Sequence, residues 1–184
     1  MADSSITKRA LAQAMKDLMA KQPFAKISVG DICETCGMNR KSFYYHFRDK
    51  YDLVNWIFDS EFLASVQAAE FGTSWDFLKS ICYYFYSERS FYRNALRIEG
   101  QNSFQDYFRE MVIPRLMYFS RDLFSPNGDE QFVVTFVGDA LLASLIRWLT
   151  DSDPLPPDEY LSKIRTLMTD LAKIVQNSST EREQ

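Results

Sequence analysis

Residues 33 to 47, CETCGMNRKSFYYHF, hold two chemistries side by side. Cys33 and Cys36 form a Cys-x-x-Cys pair, a spacing that binds metal or exchanges disulfides when the thiolates are exposed and supporting groups stand nearby. The residues after them, Asn39, Arg40, Lys41, Ser42, Tyr44, Tyr45 and His46, are of the types that hydrogen-bond base edges and phosphates. A structural zinc site takes four ligands, and the chain supplies no second cysteine pair and a single histidine, His46. The redox form of the motif precedes a helix in a strand-containing fold, whereas here both cysteines fall in a short helical stretch that ends at Gly37. Small packed side chains are the reading these surroundings favour, with a thiol-based redox or metal sensor as its rival.

The elements that must position these residues are helical. Apolar residues recur at three and four along almost every long segment, and no alternating run bounded by turn residues argues for a strand, so the fold class is all-α. A first helix is predicted from about Ser5 to Lys21, with Ile6, Leu11, Met15, Leu18 and Met19 on one broad face, and QPF at 22 to 24 ends it. A second starts at Ser28, where SVGD offers a hydroxyl to a free backbone N–H and Asp31 to the positive end of the helix. Gly37, suited to left-handed backbone, stops it. Asn39 caps a third helix of roughly eight residues, in which Phe43 and Phe47 lie one turn apart and face inward with Met38. Arg40, Lys41 and Tyr44 then face outward, with Ser42 and Tyr45 at the margins. Two short capped helices around a glycine turn form a helix-turn-helix, whose second helix fits the major groove of DNA. A merely solvated basic face is the plain alternative.

From Asp49 a fourth helix is predicted to reach about Ala69, and further helices lie near 74 to 88, 90 to 98, 103 to 124, 129 to 150 and 157 to 176, about nine in total. Pro114 should kink one of them. Breaks fall at Gly72, Gly100, SPNG at 125 to 128 and DSDPLPP at 151 to 157. The chain thus divides into a head at 1–52, a helical body at 53–176 and a frayed polar tail at 177–184.

Composition is that of a folded protein, with 46% hydrophobic and 25% charged residues. Residues 1–52 carry nine Lys or Arg against six Asp or Glu, a net +3, while the remainder carries twelve against nineteen, a net −7. The overall −4 argues against indiscriminate coating of nucleic acid, and the basic head on an acidic body suits an asymmetric binder of a polyanion. The amino terminus lacks the apolar core of a signal peptide, and the most apolar run, Phe132 to Leu149, is interrupted by Asp139, so no membrane segment is expected and the location is cytoplasmic. Three cysteines at 33, 36 and 82 suit a reducing compartment and no disulfide framework. With one histidine and no glycine-rich phosphate loop or paired-carboxylate motif, the chain has no catalytic residues to nominate, no metal site and no cofactor.

In the body, Phe132 to Leu149 carries the small residues Gly138, Ala140, Ala143 and Ser144. The last helix is apolar at Tyr160, Leu161, Ile164, Leu167, Met168, Leu171 and Ile174. These two helices either build a two-fold four-helix interface or pack inside the chain. Aromatics crowd the middle, from Trp75 and Phe77 through Tyr83 to Tyr86, Phe91, Tyr92, Phe104, Tyr107 and Phe108 to Tyr118 and Phe119, and serve as core, ligand cavity or partner surface. Arg89, Arg93, Arg97 and Arg109 interleave with them, and no ligand is named.

Residues 5 to 57 resemble the DNA-binding head of the TetR family of bacterial transcriptional regulators. ISVGDICETCGMNRKSFYYHFRDKYDLV is similar to the family's T-V-x-D-I-A helix, A-G-V-S turn, x-x-T-F-Y-x-Y/H-F recognition helix and K-x-x-L start of the fourth helix. By that resemblance Ser28 would contact a phosphate, Gly37 would make the turn, and Asn39, Arg40, Lys41 and Ser42 would face bases. Tyr44, Tyr45 and His46 would flank the backbone and groove wall, and Lys50 would be the phosphate-binding lysine. Cys36, Met38 and Asn39 depart from the Ala and the Val or Ser most frequent in the family. The last two helices match the family's dimerisation pair, which implies a homodimer on a near-palindromic double-stranded operator, controlled by a small-molecule effector or co-regulator protein. MNRKSFYYHFRDKYDLVNWIF and SLIRWLTDSDPLPPDEYL are most similar to regulators of dihydroxyacetone kinase operons, which implies an activator answering to a kinase-like partner subunit. A helical adaptor without operator binding is the remaining alternative.

Overall fold

Short side chains set where the helices begin. The computed structural model describes residues 2–67, 71–98, 103–120 and 130–180. In it Ser28, Asn39, Asp49 and Thr73 each accept a hydrogen bond from a backbone N–H of the first turn that follows. The helices are α1 (Ala2–Met19), α2 (Val29–Thr35), α3 (Arg40–His46), α4 (Lys50–Phe58), α5 (Ala64–Gln67), α6 (Ser74–Ser87), α7 (Arg89–Ala95), α8 (Phe104–Ser120), α9 (Glu130–Thr150) and α10 (Pro157–Thr180). A π-helical turn at Asp59–Leu63 joins α4 to α5, so the two make one interrupted helix and nine helices stand among the described residues, with no strand. The all-α expectation holds.

Several boundaries differ from the sequence reading. α1 starts three residues earlier and ends at Met19, Ile6 on its expected apolar face is exposed, and α7 stops at Ala95. α8 runs on as a helix through Pro114 as expected, and α10 continues to Thr180, past the expected end at 176. The expected breaks at Gly100 and SPNG, the 68–69 end of the fourth helix and the 181–184 end of the tail lie outside the described residues.

Six of the middle aromatics are core, while Tyr83 is exposed. Phe77, Phe85, Phe91, Tyr92, Phe104 and Phe108 are buried, and Phe58 of α4 is ringed by Phe62, Phe85, Tyr92, Phe104, Tyr107 and Phe108 with centroids 5.2–6.4 Å away. The side chains of Tyr118, Phe119, Leu171 and Ile174 lie outside the described ones. Between α6, α8, α9 and α10 remains a cavity of about 20 Å³, lined by Cys82, Phe108, Ile113, Gly138, Leu142 and Tyr160. A drug-sized ligand needs several hundred Å³. Two of the four arginines have local partners: Arg89 donates to the carbonyls of Leu149 (3.0 Å) and Asp151 beyond the end of α9, and Arg109 pairs with Asp139 at 2.8 Å.

Head and body are tied by polar bridges as well. Lys16 of α1 reaches Glu61 of the π turn and Glu88 before α7, both at 2.8 Å, while Tyr84 donates to Glu61 at 3.1 Å. Asn94 of α7 donates to the Met19 carbonyl at 2.7 Å, and Tyr107 of α8 donates to Asp59 at 2.6 Å.

One of the small residues of α9 serves a contact within the chain. A Cβ on Gly138 would overlap Ile113 Cδ1 of α8 and lie 2.9 Å from its Cγ2. Gly138→Val is therefore expected to lower the unfolding free energy by about 1–3 kcal/mol in urea titrations. Combining it with Ile113→Ala should cost less than the two single losses added, because the smaller residue vacates the space. Additive losses would mean the two side chains do not compete for it.

Candidate nucleic-acid interface

The start of α2 is closed by a reciprocal pair. Ser28 Oγ accepts from the Asp31 N–H at 3.2 Å, while an Asp31 carboxylate oxygen accepts from Ser28 N and Oγ, both at 2.8 Å. These Ser28 donors hold the Asp31 carboxyl below its ordinary 3.8. The end of α2 is closed by Gly37 at φ +67°: Met38 N donates to the Cys33 carbonyl at 2.8 Å and Gly37 N to the Glu34 carbonyl at 3.2 Å. That two-bond pattern is the Schellman stop, and it turns the chain directly into α3, where Asn39 Oδ1 accepts from Ser42 N at 2.8 Å.

α3 is pinned by its inner face. Phe43 is fully buried, Phe47 is buried against it with centroids 5.8 Å apart, and Trp56 of α4 packs on Phe47 at 5.7 Å. The outer face carries exposed Arg40 and Lys41, Tyr44 at 58% and Tyr45 at 82% exposure, with Ser42 and His46 half-buried. The Tyr45 and His46 rings meet edge to face at 4.9 Å. Arg40, Lys41, Tyr44 and Tyr45 make no hydrogen bond or ion pair with any described residue, so their donors are unspent.

Three of the nominated residues already make contacts within the head. Ser28 spends its hydroxyl and its N–H on Asp31. Lys50 Nζ donates to the carbonyls of Phe24 (2.9 Å) and Ile27 (2.8 Å) and sits 4.3 Å from the Phe24 ring centroid, where burial pushes its pKa below the usual lysine value. The Arg40 guanidinium is laid back onto α2 against Gly30 rather than projecting along the outward face. Sequence reasoning missed Gly30. Its signal was a glycine inside a short helix where any good helix former would serve. It also missed Lys8 of α1, whose ammonium lies 5.7 Å from the Phe47 ring and 5.6 Å from Trp56.

The cysteines face inward. Cys33 and Cys82 are buried, Cys36 is half-buried with its thiol directed at the Ile32 carbonyl 3.2 Å away, and all three are free thiols. Burial pushes all three pKa values up, that of Cys82 to about 12, the reverse of what an activated thiol needs. No group of three metal-ligating side chains forms among the described residues. A polar groove of about 770 Å³ separates the head, at His46, Arg48, Asp52 and Trp56, from Tyr107 and Glu110 of α8. Among the described residues no helix is long and apolar enough to cross a membrane.

Comparison with known proteins agrees with this geometry. Residues 8–57 match the bacterial regulatory proteins of the tetR family, and residues 73–170 match a transcriptional regulator C-terminal region of the same kind. The chain is 40% identical over 62 residues to the HTH-type dhaKLM operon transcriptional activator DhaS of Lactococcus lactis subsp. lactis (strain IL1403), a match that spans 34% of this chain and 33% of that relative's length. Three solved structures share the fold. A dihydroxyacetone kinase operon activator DhaS is 22% identical at a TM-score of 0.67, covering 92% of this chain and 97% of that one. A TetR transcriptional regulator from Streptococcus agalactiae 2603V is 20% identical at 0.68, covering 90% and 95%. NalD, the secondary repressor of the MexAB-OprM multidrug efflux pump in Pseudomonas aeruginosa, is 18% identical at 0.67, covering 91% and 96%. All are regulators of transcription rather than enzymes.

Two outcomes follow from these contacts. A thiol reagent at neutral pH should leave Cys33 and Cys82 unlabelled until the protein is unfolded, with slow labelling of Cys36; rapid reaction of Cys33 and Cys36 together would revive the sensor reading. Lys50→Met keeps the stem but strips the Ile27 carbonyl of the ammonium and leaves the Phe24 carbonyl with the Ile27 N–H alone, and should lower the unfolding free energy by about 1–3 kcal/mol in urea. An unchanged midpoint would mean that water replaces the ammonium at no cost.

Proposed function

The chain belongs to the TetR family of bacterial transcriptional regulators, and on that premise we propose that it binds a near-palindromic operator as a homodimer, in the cytoplasm, under the control of an effector or partner protein that acts on the body. The observation that carries this reading is the outer face of α3: exposed Arg40, Lys41, Tyr44 and Tyr45 with unspent donors, held on a helix whose inner face is anchored by buried Phe43 and Phe47. In the proposed complex Asn39, Lys41 and Ser42 present donors and acceptors to base edges. Tyr44, Tyr45 and His46 line the groove wall, Gly37 sets the angle of α3 to α2, and Ser28 and Lys50 lie toward the backbone.

Dimerisation is supported by what α9 and α10 leave bare. Phe132 and Phe136 stack at 6.0 Å yet stay 65% and 66% exposed, and Leu167 and Met168 of α10 are exposed as well. Pairing two copies across this face covers them and places two copies of α3 at half-sites about 34 Å, or a multiple of it, apart. The proposed division is a DNA-binding head at 1–52 and a regulatory and dimerising body at 53–176. Likeness to the L. lactis activator supports a role in dihydroxyacetone metabolism. The bridges from Lys16 and Asn94 give the body purchase on the head, so a ligand or partner that favours one arrangement of the body shifts the population of binding-competent heads.

Selection of duplexes from a random pool should enrich a near-palindrome. On that duplex Lys41→Ala should cost about 1–3 kcal/mol, with a smaller loss on a scrambled one. Phe136→Arg should yield monomers by light scattering and bind the palindrome far more weakly, with its helical content unchanged. Absence of any enriched sequence, or a Phe136→Arg protein that remains dimeric, would overturn the corresponding part of the reading.

A further inference from the structure

Gly30 lies in the first turn of α2, where glycine weakens a helix relative to alanine. Nothing in its own backbone asks for glycine: among the described residues the glycine with positive φ is Gly37, while Gly30 is ordinary helix. What the missing side chain leaves room for is Arg40. A Cβ on Gly30 would stand 2.6 Å from Arg40 Nη2 and 3.4 Å from its Cζ, so the guanidinium occupies the space that any other residue at this position would fill. The arginine is held there by shape and not by a salt bridge, since no described residue accepts a hydrogen bond from it or pairs with it. Its charge adds to the two Ser28 hydrogen bonds that keep Asp31 ionised, and so offsets a carboxylate that would otherwise repel an approaching phosphate.

In a helix-turn-helix the first helix crosses the phosphate backbone while the second enters the groove. An arginine rooted at the start of α3 but turned back onto α2 therefore points to the backbone and not to the base pairs. Its planar fork matches two phosphate oxygens. We propose that Gly30 is a positioning residue: by lacking a Cβ it seats Arg40 on α2, where the guanidinium grips an operator phosphate, leaving base reading to its neighbours on α3. This rests on the operator-binding reading above, and it reassigns Arg40 from the base contact that the family resemblance implies.

The test is a double-mutant cycle on the full-length protein, using the duplex enriched by wild type and a scrambled duplex, each titrated at several salt concentrations. Gly30→Ala displaces the end of the flexible Arg40 side chain and otherwise comes no closer than 3.3 Å to Ser28 Oγ, so the variant should fold with a thermal midpoint no lower than wild type. It should nevertheless bind both duplexes about tenfold more weakly, and its salt slope should fall by about one. Arg40→Ala should do the same, with the preferred sequence unchanged on reselection. The double variant should bind no more weakly than Arg40→Ala alone, because the glycine acts only through the arginine. The proposal is overturned if Gly30→Ala binds like wild type, if its loss multiplies with that of Arg40→Ala, if Arg40→Ala alters base preference, or if Gly30→Ala unfolds. A wild-type protein that enriches no sequence would instead overturn operator binding itself, and that result is read before any variant is made.

Discussion

One continuous apolar core, threaded by a single interrupted helix, governs this molecule. Leu53, Val54 and Ile57 of α4 pack among the buried residues of α1, α2 and α3, while Phe58 and Phe62, one turn further, are ringed by the aromatics of α6, α7 and α8. Head and body therefore share side chains across their junction. A close-packed interior does not deform smoothly, so α4 is the element through which a change in body packing around Phe58 would reach α3.

The π turn at Asp59–Leu63 is where the helix changes from one environment to the other. Asp59 meets Tyr107 of α8, and Glu61 meets Lys16 of α1 and Tyr84 of α6. Burial alone would lower the Lys16 pKa, but the two carboxylates outweigh it and the value is raised. Its contribution to stability is thus full below the ordinary 10.5 and is lost as pH rises through the higher folded value. Asp59 is raised by burial, against the Tyr107 hydrogen bond and the Arg115 charge. It favours the folded state fully only below the ordinary 3.8 and loses that contribution as pH climbs through its folded value. Near neutrality the junction therefore holds one well-compensated cation and one carboxylate kept at some cost.

Much of the head was legible because its signals are local. Ser28 with Asp31, Gly37 and Asn39 each act within a few residues, and each makes the contact its type and position implied. Phe43 and Phe47 were legible from spacing alone. The π turn was not, because an extra residue per turn over five positions barely disturbs a 3.6-residue pattern. Lys50 bonding carbonyls 23 and 26 residues away, or Gly138 making room for Ile113, depends on distant chain that no local pattern encodes. The aromatic crowd of the body fitted core, cavity or surface equally well as a list of residues. Only packing separates these, and the packing leaves a cavity of about 20 Å³ at its edge.

The polar side chains of the head divide by whether their hydrogen-bonding groups are already used. Ser28, Asp31, Asn39 Oδ1, Asp49 and Lys50 are spent on backbone N–H and carbonyl groups, and they fix α2, α3 and the start of α4 relative to one another. Lys41, Tyr44 and Tyr45, and Arg40 on its glycine seat, keep theirs. A spent donor offered to DNA must first be taken from the fold, whereas an unspent one gives up only water, so the second group can bind a polyanion without loosening the first. On the proposed operator-binding reading the frame stays rigid while contacts form, so that a head with a net charge of only +3 would discriminate by shape rather than by charge alone.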